Sequence, residues 1–349
     1  MSKDAVTDRQ PLSFFDRHPE LYCCPACEGD LARTGDALSC TACGREYHVT
    51  DGIPGFFVPN EWVDSKEDVT ERMRAFYEEN PFPNYDEYDS AGTLLDKARR
   101  GRFARLLDDH VPYGARVLEC GCGTGQLTNF LAISTRTVIG TDICMNSLRL
   151  AEAFRAKNDL QRAHFHQMNL FRPCFRPGSF DLVISNGVLH HTSDPELGFR
   201  SISRLVRPGG YILVGLYHRY GRLATDIRRS IFKATDTRFL FLDRHASDPK
   251  VSPDKRRAWF MDQYRNPHES KHTVGEVIGW LERAGLEFVS SVPRTVPFSP
   301  LSDADRLFRP QPLGNALQRA AVNVGLTLKG HLEGGFFIVI ARRPEAAAS

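Results

Sequence analysis

Two hydrophobic periods alternate along the chain from about residue 93 onward. TLLDKARRGRFARLLDDH (93–110) spaces Leu94, Leu95, Phe103, Leu106 and Leu107 as one face of a helix. ARVLEC (115–120) reads as a short buried strand that ends at Glu119. The loop GCGTG (121–125) leads into a helix bearing Leu127, Phe130 and Leu131. RTVIGTD (136–142) follows as a second strand and NSLRLAEAFRAKN (146–158) as its helix. HFHQMN (164–169) is a weaker third strand and FDLVISN (180–186) a strong fourth. PELGFRSISRLV (195–206) is a helix that stops at the turn RPGG, and YILVGLY (211–217) is the fifth strand. HTVGEVIGWLERAG (272–285) is a helix, with LEFVSSV (286–292) and FFIVIAR (336–342) as the last two strands. This alternation predicts an α/β fold with a doubly wound, seven-stranded, mostly parallel sheet.

The pattern breaks in four places. Residues 218–272 and 293–333 are too long to be plain connectors, and the first is expected to form a helical lid. Residues 21–58 are rich in Cys and Gly and form a small module of their own. Residues 59–92 are a linker that ends in the aromatic, proline-punctuated stretch FYEENPFPNYDEY. The domain plan is therefore a flexible N-terminus (1–20), the Cys-rich module (21–58), the aromatic lid segment (59–92), the α/β domain (93–343) and a tail (344–349).

Composition narrows the classes. The chain has 349 residues, 41% hydrophobic and 25% charged, which suits a globular protein with a substantial core. A net charge of +2 gives no general basic field of the kind nonspecific nucleic-acid binders use. No apolar run reaches the roughly 18 to 20 residues of a membrane span. The opening MSKDAVTDRQ has no signal-peptide core, so a cytoplasmic address is expected.

The densest chemistry is Val117-Leu-Glu-Cys-Gly-Cys-Gly-Thr-Gly125. Gly121, Gly123 and Gly125 after a strand let the backbone turn sharply and approach a ligand. The dinucleotide fingerprint GxGxxG is not matched, because position 126 is Gln. Glu119 would repel a pyrophosphate but can face the ammonium of an amino acid. Asp142, 23 residues after Glu119 at the end of the second strand, can accept bonds from ribose hydroxyls.

ECGCGTG, the Asp142 strand end, FDLVISNGVLHHTSDP and LVRPGGYILV together resemble the class I (Rossmann-like, UbiE-like or type 11) S-adenosylmethionine-dependent methyltransferases. The resemblance is strong over 93–217 and looser beyond. It implies that Glu119 and the Gly121–Gly125 loop hold the methionine part of S-adenosylmethionine and Asp142 its ribose. It implies an acid at the end of the third strand for the adenine amino group, where this chain has Asn169. Asn186 and Gly187 would lie beside the sulfonium.

Cys24-Pro-Ala-Cys27 and Cys40-Thr-Ala-Cys43 are two CxxC pairs separated by 12 residues, the spacing of a tetrahedral thiolate site. Cys23 is an alternative to Cys24. The stretch from Tyr22 through the DGIP turn resembles a Trm112-like zinc ribbon. Four thiolates leave no open position, so the zinc is expected to be structural. A ribbon stabilised by metal and a core stabilised by burial would have separate sources of stability, so the core is expected to fold without the ribbon.

On the acceptor side, His191 (beside His190) is a candidate base or acceptor ligand, with a packing histidine as the alternative. Tyr217 leaves the fifth strand toward the insertion. His268 and His272 are four apart, but Pro267 argues against a helical metal pair. Tyr217, His218, Tyr220, Trp259, Tyr264 and His268 are expected to face an acceptor. Three functions follow: a methyltransferase acting on a small molecule, an RNA base methyltransferase that uses the ribbon, or a non-catalytic S-adenosylmethionine-binding scaffold or activator. The acceptor atom and the oligomeric state are not encoded in any motif.

Overall fold

The computed structural model describes residues 14–61, 68–83, 85, 89–235, 237–333 and 335–345. Residues 1–13 of the expected flexible terminus, most of the tail, and Asn84 and 86–88 of the aromatic stretch lie outside the described residues.

Four short antiparallel strands come first: β1 (Leu31–Thr34), β2 (Ala37–Cys40), β3 (Glu46–Thr50) and β4 (Ile53–Pro54). Seven more form the main sheet: β5 (Arg116–Cys120), β6 (Thr137–Asp142), β7 (Ala163–Gln167), β8 (Phe180–Asn186), β9 (Val206–Tyr217), β10 (Glu287–Val292) and β11 (Phe336–Arg342). Their order is β10-β11-β9-β8-β5-β6-β7. β5 to β9 run parallel, and β11 is antiparallel to both of its neighbours. This is the doubly wound, Rossmann-like methyltransferase fold.

The apolar runs read as strands because successive residues feed opposite faces. Leu118, Ile139, Val183 and Ile212 join one core, and Val117, Val138, Ile184 and Leu213 join the other. Helices 91–100, 102–110, 126–133 and 145–157 cover the second face. Helices 195–203 and 274–283 cover only part of the first.

The ribbon covers the rest. The crossover from β7 to β8 (168–179) contains no helix, although parallel strands are usually joined through one. Phe14, Phe15, Leu21, Tyr22, Leu38, Tyr47 and Phe56 lie in the same core as Leu118, Ile139 and Phe175. Tyr22 bridges to Phe175 and Gly55 to Gln167. The Cys23 N–H donates to the Cys174 carbonyl at 3.0 Å, and the Phe56 N–H to the Gln167 carbonyl at 2.8 Å. Tyr22 Oη and His166 Nε2 are 2.7 Å apart, and Phe14 stacks on His164. The expectation of two separately stabilised units is thereby corrected: ribbon and sheet share one apolar core. Residues 14–17 are likewise a packed helical turn with Phe14 and Phe15 buried.

Two local expectations also change. The span 93–110 is two helices, Ala91–Arg100 and Arg102–His110, because Gly101 takes an extended conformation between them. The RPGG stretch lies inside β9: Phe180 pairs with Val206, but Leu182 pairs with Tyr211, so 207–210 bulge out of the ladder. The insertion 218–272 is helical as expected, with helices 223–235, 244–247 and 253–260 and a π turn at Met261–Arg265. No helix among the described residues is long and apolar enough to cross a membrane.

Candidate active site

The carboxyl ends of the parallel strands open into one cavity of about 540 Å³. Strand order reverses between β5 and β8, and ligands of open α/β sheets collect at such a switch point.

At one end lie Glu119, Gly121, Gly123 and Asp142. Gly121 and Gly123 have φ of +79° and +52°, where a side chain is strained. A Cβ on Gly121 would overlap Val188, and one on Gly123 would overlap the Phe82 carbonyl. The loop therefore passes between the β8 loop and the aromatic segment with no room to spare. Gly125 lies behind the cavity, where it caps helix 126–133 and packs against Ala151 and Phe165. Asp142 accepts from the Gly123 and Cys144 N–H groups, both at 2.9 Å, which locks the loop to the end of β6. Glu119 accepts from the Thr128 hydroxyl at 2.5 Å. Burial pushes the Glu119 carboxyl up to about 8, against the Thr128 bonds that lower it. Burial also raises Asp142, against its backbone donors.

Asn169 and Asn186 line the same cavity. The Asn169 amide donates to the Val58 carbonyl and to Asn60 Oδ1, at 2.9 and 2.7 Å. Its oxygen accepts from the Phe171 N–H at 3.1 Å and keeps a second lone pair. It thus joins the ribbon's exit to the end of β7.

Helix 69–79 and the residues after it roof the cavity from this end toward the other. Thr70, Met73, Tyr77, Phe82 and Pro83 line the cavity. Glu78 accepts from the first N–H groups of helix 145–157, at 2.8 Å (Met145) and 3.1 Å (Asn146). The Thr124 hydroxyl donates to the Pro83 carbonyl, and Tyr85 stacks on Phe154.

The other end gathers His191, Tyr217, Arg222, Trp259, Asp262 and Gln263. His191 Nδ1 is 2.8 Å from the His268 carbonyl. A carbonyl only accepts, so Nδ1 carries the proton and Nε2 offers its lone pair. Burial holds His191 below its usual range, opposed by the charge of Asp262. Tyr217 accepts from Gln263 Nε2 at 2.9 Å, and the Arg222 guanidinium lies 3.7 Å from its ring centre. Burial raises the Tyr217 hydroxyl. Arg222 is buried, donating to Gln263 at 2.6 Å and pairing with Glu269 at 3.0 Å.

His191 and Tyr217 thus meet in the cavity, and His268 contributes its carbonyl while its side chain does not line the space. Tyr220 is exposed, Tyr264 is buried against Asp243, and His218 contacts Asn323, all away from the cavity. Of the insertion residues expected to face an acceptor, Trp259 lines it. Asp262 and Gln263 escaped sequence reasoning because a π turn has no hydrophobic period, and Arg222 because it lies in the turn before helix 223–235. Thr70, Met73 and Tyr77 fall on one helix face at i, i+3 and i+7, a signal that was available.

In the ribbon, the sulfurs of Cys24, Cys27, Cys40 and Cys43 all lie within 4.8 Å of one another. The Cys24–Cys43 and Cys27–Cys40 distances are 3.8 and 3.5 Å. Tetrahedral ligands at a Zn–S length of about 2.3 Å stand roughly 3.8 Å apart, so the set fits a zinc ion. Tyr47 Oη, 3.0 Å from Cys24 Sγ, supplies an outer hydrogen bond. Cys23 is not part of this set, and its N–H joins the ribbon to the crossover.

Residues 118–214 match the family described as a methyltransferase domain. The matched segment spans most of the parallel part of a sheet that has the class I methyltransferase fold. An uncharacterised protein of Synechococcus sp. is 28% identical over 199 residues, 50% of this chain and 48% of that protein. A ubiquinone biosynthesis O-methyltransferase of Paracidovorax citrulli is 31% identical over 107 residues, 30% of this chain and 45% of that enzyme. The chain spans about half the length of these relatives. Among solved structures, a chain from the complex between the Haloferax volcanii Trm112 methyltransferase activator and a methyltransferase is similar over 80% of this chain and 100% of that one, at 15% identity and a TM-score of 0.47.

Proposed function

We propose that the protein transfers a methyl group from S-adenosylmethionine to a small molecule held in the cavity. The continuity of that cavity carries the reading. It joins the glycine loop with Glu119 and Asp142 to an end lined by His191, Tyr217 and Trp259, under a roof made by residues 70–83.

When bound, S-adenosylmethionine supplies an electrophilic methyl group on a sulfonium. Glu119 would meet its ammonium, Asp142 its ribose hydroxyls and Asn169 its adenine amino group. Asn186 would lie beside the sulfur. The aromatic walls exclude water and hold the acceptor in line. His191 Nε2 takes the acceptor's proton while Nδ1 donates to the His268 carbonyl, and Asp262 stabilises the imidazolium that forms. The covered acceptor end favours a small molecule over an RNA base, and the filled polar lining favours an enzyme over a scaffold. The four cysteines are the ligands of a structural zinc.

Calorimetry tests this with S-adenosylhomocysteine and NAD. The first should bind and the second should not; the reverse outcome ends the proposal. The pH dependence adds a sign. Glu119 is protonated at pH 7 when nothing faces it, and an ammonium ligand needs the carboxylate. Affinity for S-adenosylhomocysteine should therefore rise from pH 6 to about 8, at most about tenfold per unit. Unliganded stability runs the other way. The folded carboxyl keeps a proton that the unfolded one loses above 4.5, so this contribution falls as pH rises from 4.5 to about 8. Glu119→Gln should flatten both curves.

A further inference from the structure

The acceptor end of the cavity holds a carboxylate with no ion-pair partner among the described residues. Asp262 is buried, accepting from the Tyr77 hydroxyl at 2.9 Å and from Gln263 Nε2 at 2.8 Å. Both donors are neutral. Among the described residues Asp262 forms no ion pair. Arg222, which also lines the cavity, donates to the Gln263 oxygen at 2.6 Å and pairs at 3.0 Å with Glu269, a carboxylate it shares with Arg229 at 2.8 Å, under the Tyr217 ring. Asp262 is therefore a cavity-lining carboxylate held by neutral donors alone.

The backbone places that charge deliberately. Helix 253–260 runs directly into the π turn Met261–Arg265. The extra residue in such a turn shifts the helical phase, and π turns recur at functional sites. Here two consecutive residues, Asp262 and Gln263, both line the cavity, and Trp259 lines it one turn earlier.

A second observation points to a ligand. His191 is 7% exposed and lines the same end, and its Nε2 has no partner among the described residues. Tyr77 links the two groups: its hydroxyl bonds Asp262, and its ring meets His191 edge-on with centroids 6.3 Å apart. A carboxylate has about four lone-pair sites, of which two are filled here. The unfilled capacity of Asp262 and the Nε2 lone pair are both acceptors, and the walls around them are the rings of Tyr77, Phe82, Tyr217 and Trp259.

We propose that this end recognises a hydrogen-bond-donating group, an amine or a hydroxyl on a small ring-bearing molecule, through Asp262 and His191, and rejects carboxylates and phosphates. This rests on the methyltransferase reading and names its acceptor class. An anion here would face a carboxylate that has no cation bonded to it, and an aromatic-walled site whose open hydrogen-bonding groups are acceptors suits a cation or a neutral donor.

The test uses the full chain saturated with S-adenosylhomocysteine, with benzylamine, phenol and benzoate as probes in calorimetry. At least one donor probe should bind at least tenfold more tightly than benzoate. Benzylamine winning identifies a cationic amine site, and phenol winning a hydroxyl site. Asp262→Asn should shrink that preference at least tenfold, with S-adenosylhomocysteine affinity within twofold of the parent. Benzoate binding as well as the donors, no donor binding at all, or an undiminished preference in the variant each overturns the proposal. If the variant does not fold, the wild-type comparison of donors with benzoate decides alone. Failure of the methyltransferase reading appears separately, as no binding of S-adenosylhomocysteine to the wild type, and it takes this proposal with it.

Discussion

The ribbon and the insertion are both added to one sheet, and they are buried in opposite ways. The ribbon contributes Phe14, Tyr22, Leu38 and Phe56 to a face of the sheet that lacks a crossover helix. Its joints to the core are mostly apolar surface and backbone hydrogen bonds. The insertion instead buries charge at the sheet's carboxyl edge: Arg222, Glu269, Asp262 and Asp243 are each under a tenth exposed or under that in their side chains. Apolar burial is non-directional and stabilises in proportion to area. Buried charge is costly unless its geometry is met, so it fixes arrangement more than it adds stability. One addition completes the core, and the other shapes a site.

Removing the ribbon should have the largest effect. Fully burying a large apolar side chain is worth about 1.5–3 kcal/mol, so four such residues approach the roughly 5–15 kcal/mol that holds a typical domain together. Deleting residues 14–58 should give protein that aggregates or melts without a cooperative transition. Elemental analysis of the intact chain should find one zinc, and chelation should lower the melting temperature in the same direction. A soluble truncated chain with an unchanged melt would return the ribbon to an independent appendage.

Glu269→Gln attacks the other region. It leaves the buried Arg222 and the half-buried Arg229 beside a neutral amide, a loss of about 3–5 kcal/mol for breaking a buried pair. Urea unfolding measures it, and adding Arg222→Met should recover part of the loss. Burial alone would raise the Glu269 carboxyl, but Arg222 and Arg229 outweigh it and hold it low. Its contribution is therefore present above pH 4.5 and fades as pH falls through the depressed value. Equal losses for the single and double variants would mean that the pair is not the unit.

The smallest effect belongs to the seam. Tyr22→Phe keeps the ring and deletes the hydroxyl 2.7 Å from His166 Nε2. An unmet buried polar group costs about 1–3 kcal/mol, so urea unfolding should show a loss in that range with zinc content unchanged. A neutral result would make the seam wholly apolar in its energetics.

Sequence made some of this readable and hid the rest for definable reasons. The strands of 115–120, 136–142 and 180–186 declared themselves because each has a short apolar centre (Val117-Leu118, Val138-Ile139, Leu182-Val183-Ile184) that feeds both faces of the sheet. The four cysteines declared themselves because metal geometry fixes their spacing. Gly101 was visible, yet the flanking apolar positions kept one helical phase across it, which hid the break. RPGG looked like a turn because its residues are turn residues, but a bulge uses the same ones. The missing crossover helix could not be seen, since the element that replaces it lies more than a hundred residues earlier. At the site, Glu119, Asp142 and the glycines were marked by local spacing. Arg222, Asp262 and Gln263 were not, because their position depends on how the insertion folds back over the sheet.

The separation between the ribbon and the surface it covers has a consequence in time. Tyr22 and its partner His166 are 144 residues apart. On a chain made from its N-terminus, the ribbon's aromatic face is synthesised long before β7 and the crossover that will receive it. During that interval the face has nothing to bury against, and a segment this short cannot hold its shape by burial alone. A cluster of four thiols closed around a metal needs no distant partner. It would keep β1 to β4 in register and the aromatic face on one side until the sheet arrives, so that docking is a rigid fit and not a second folding step.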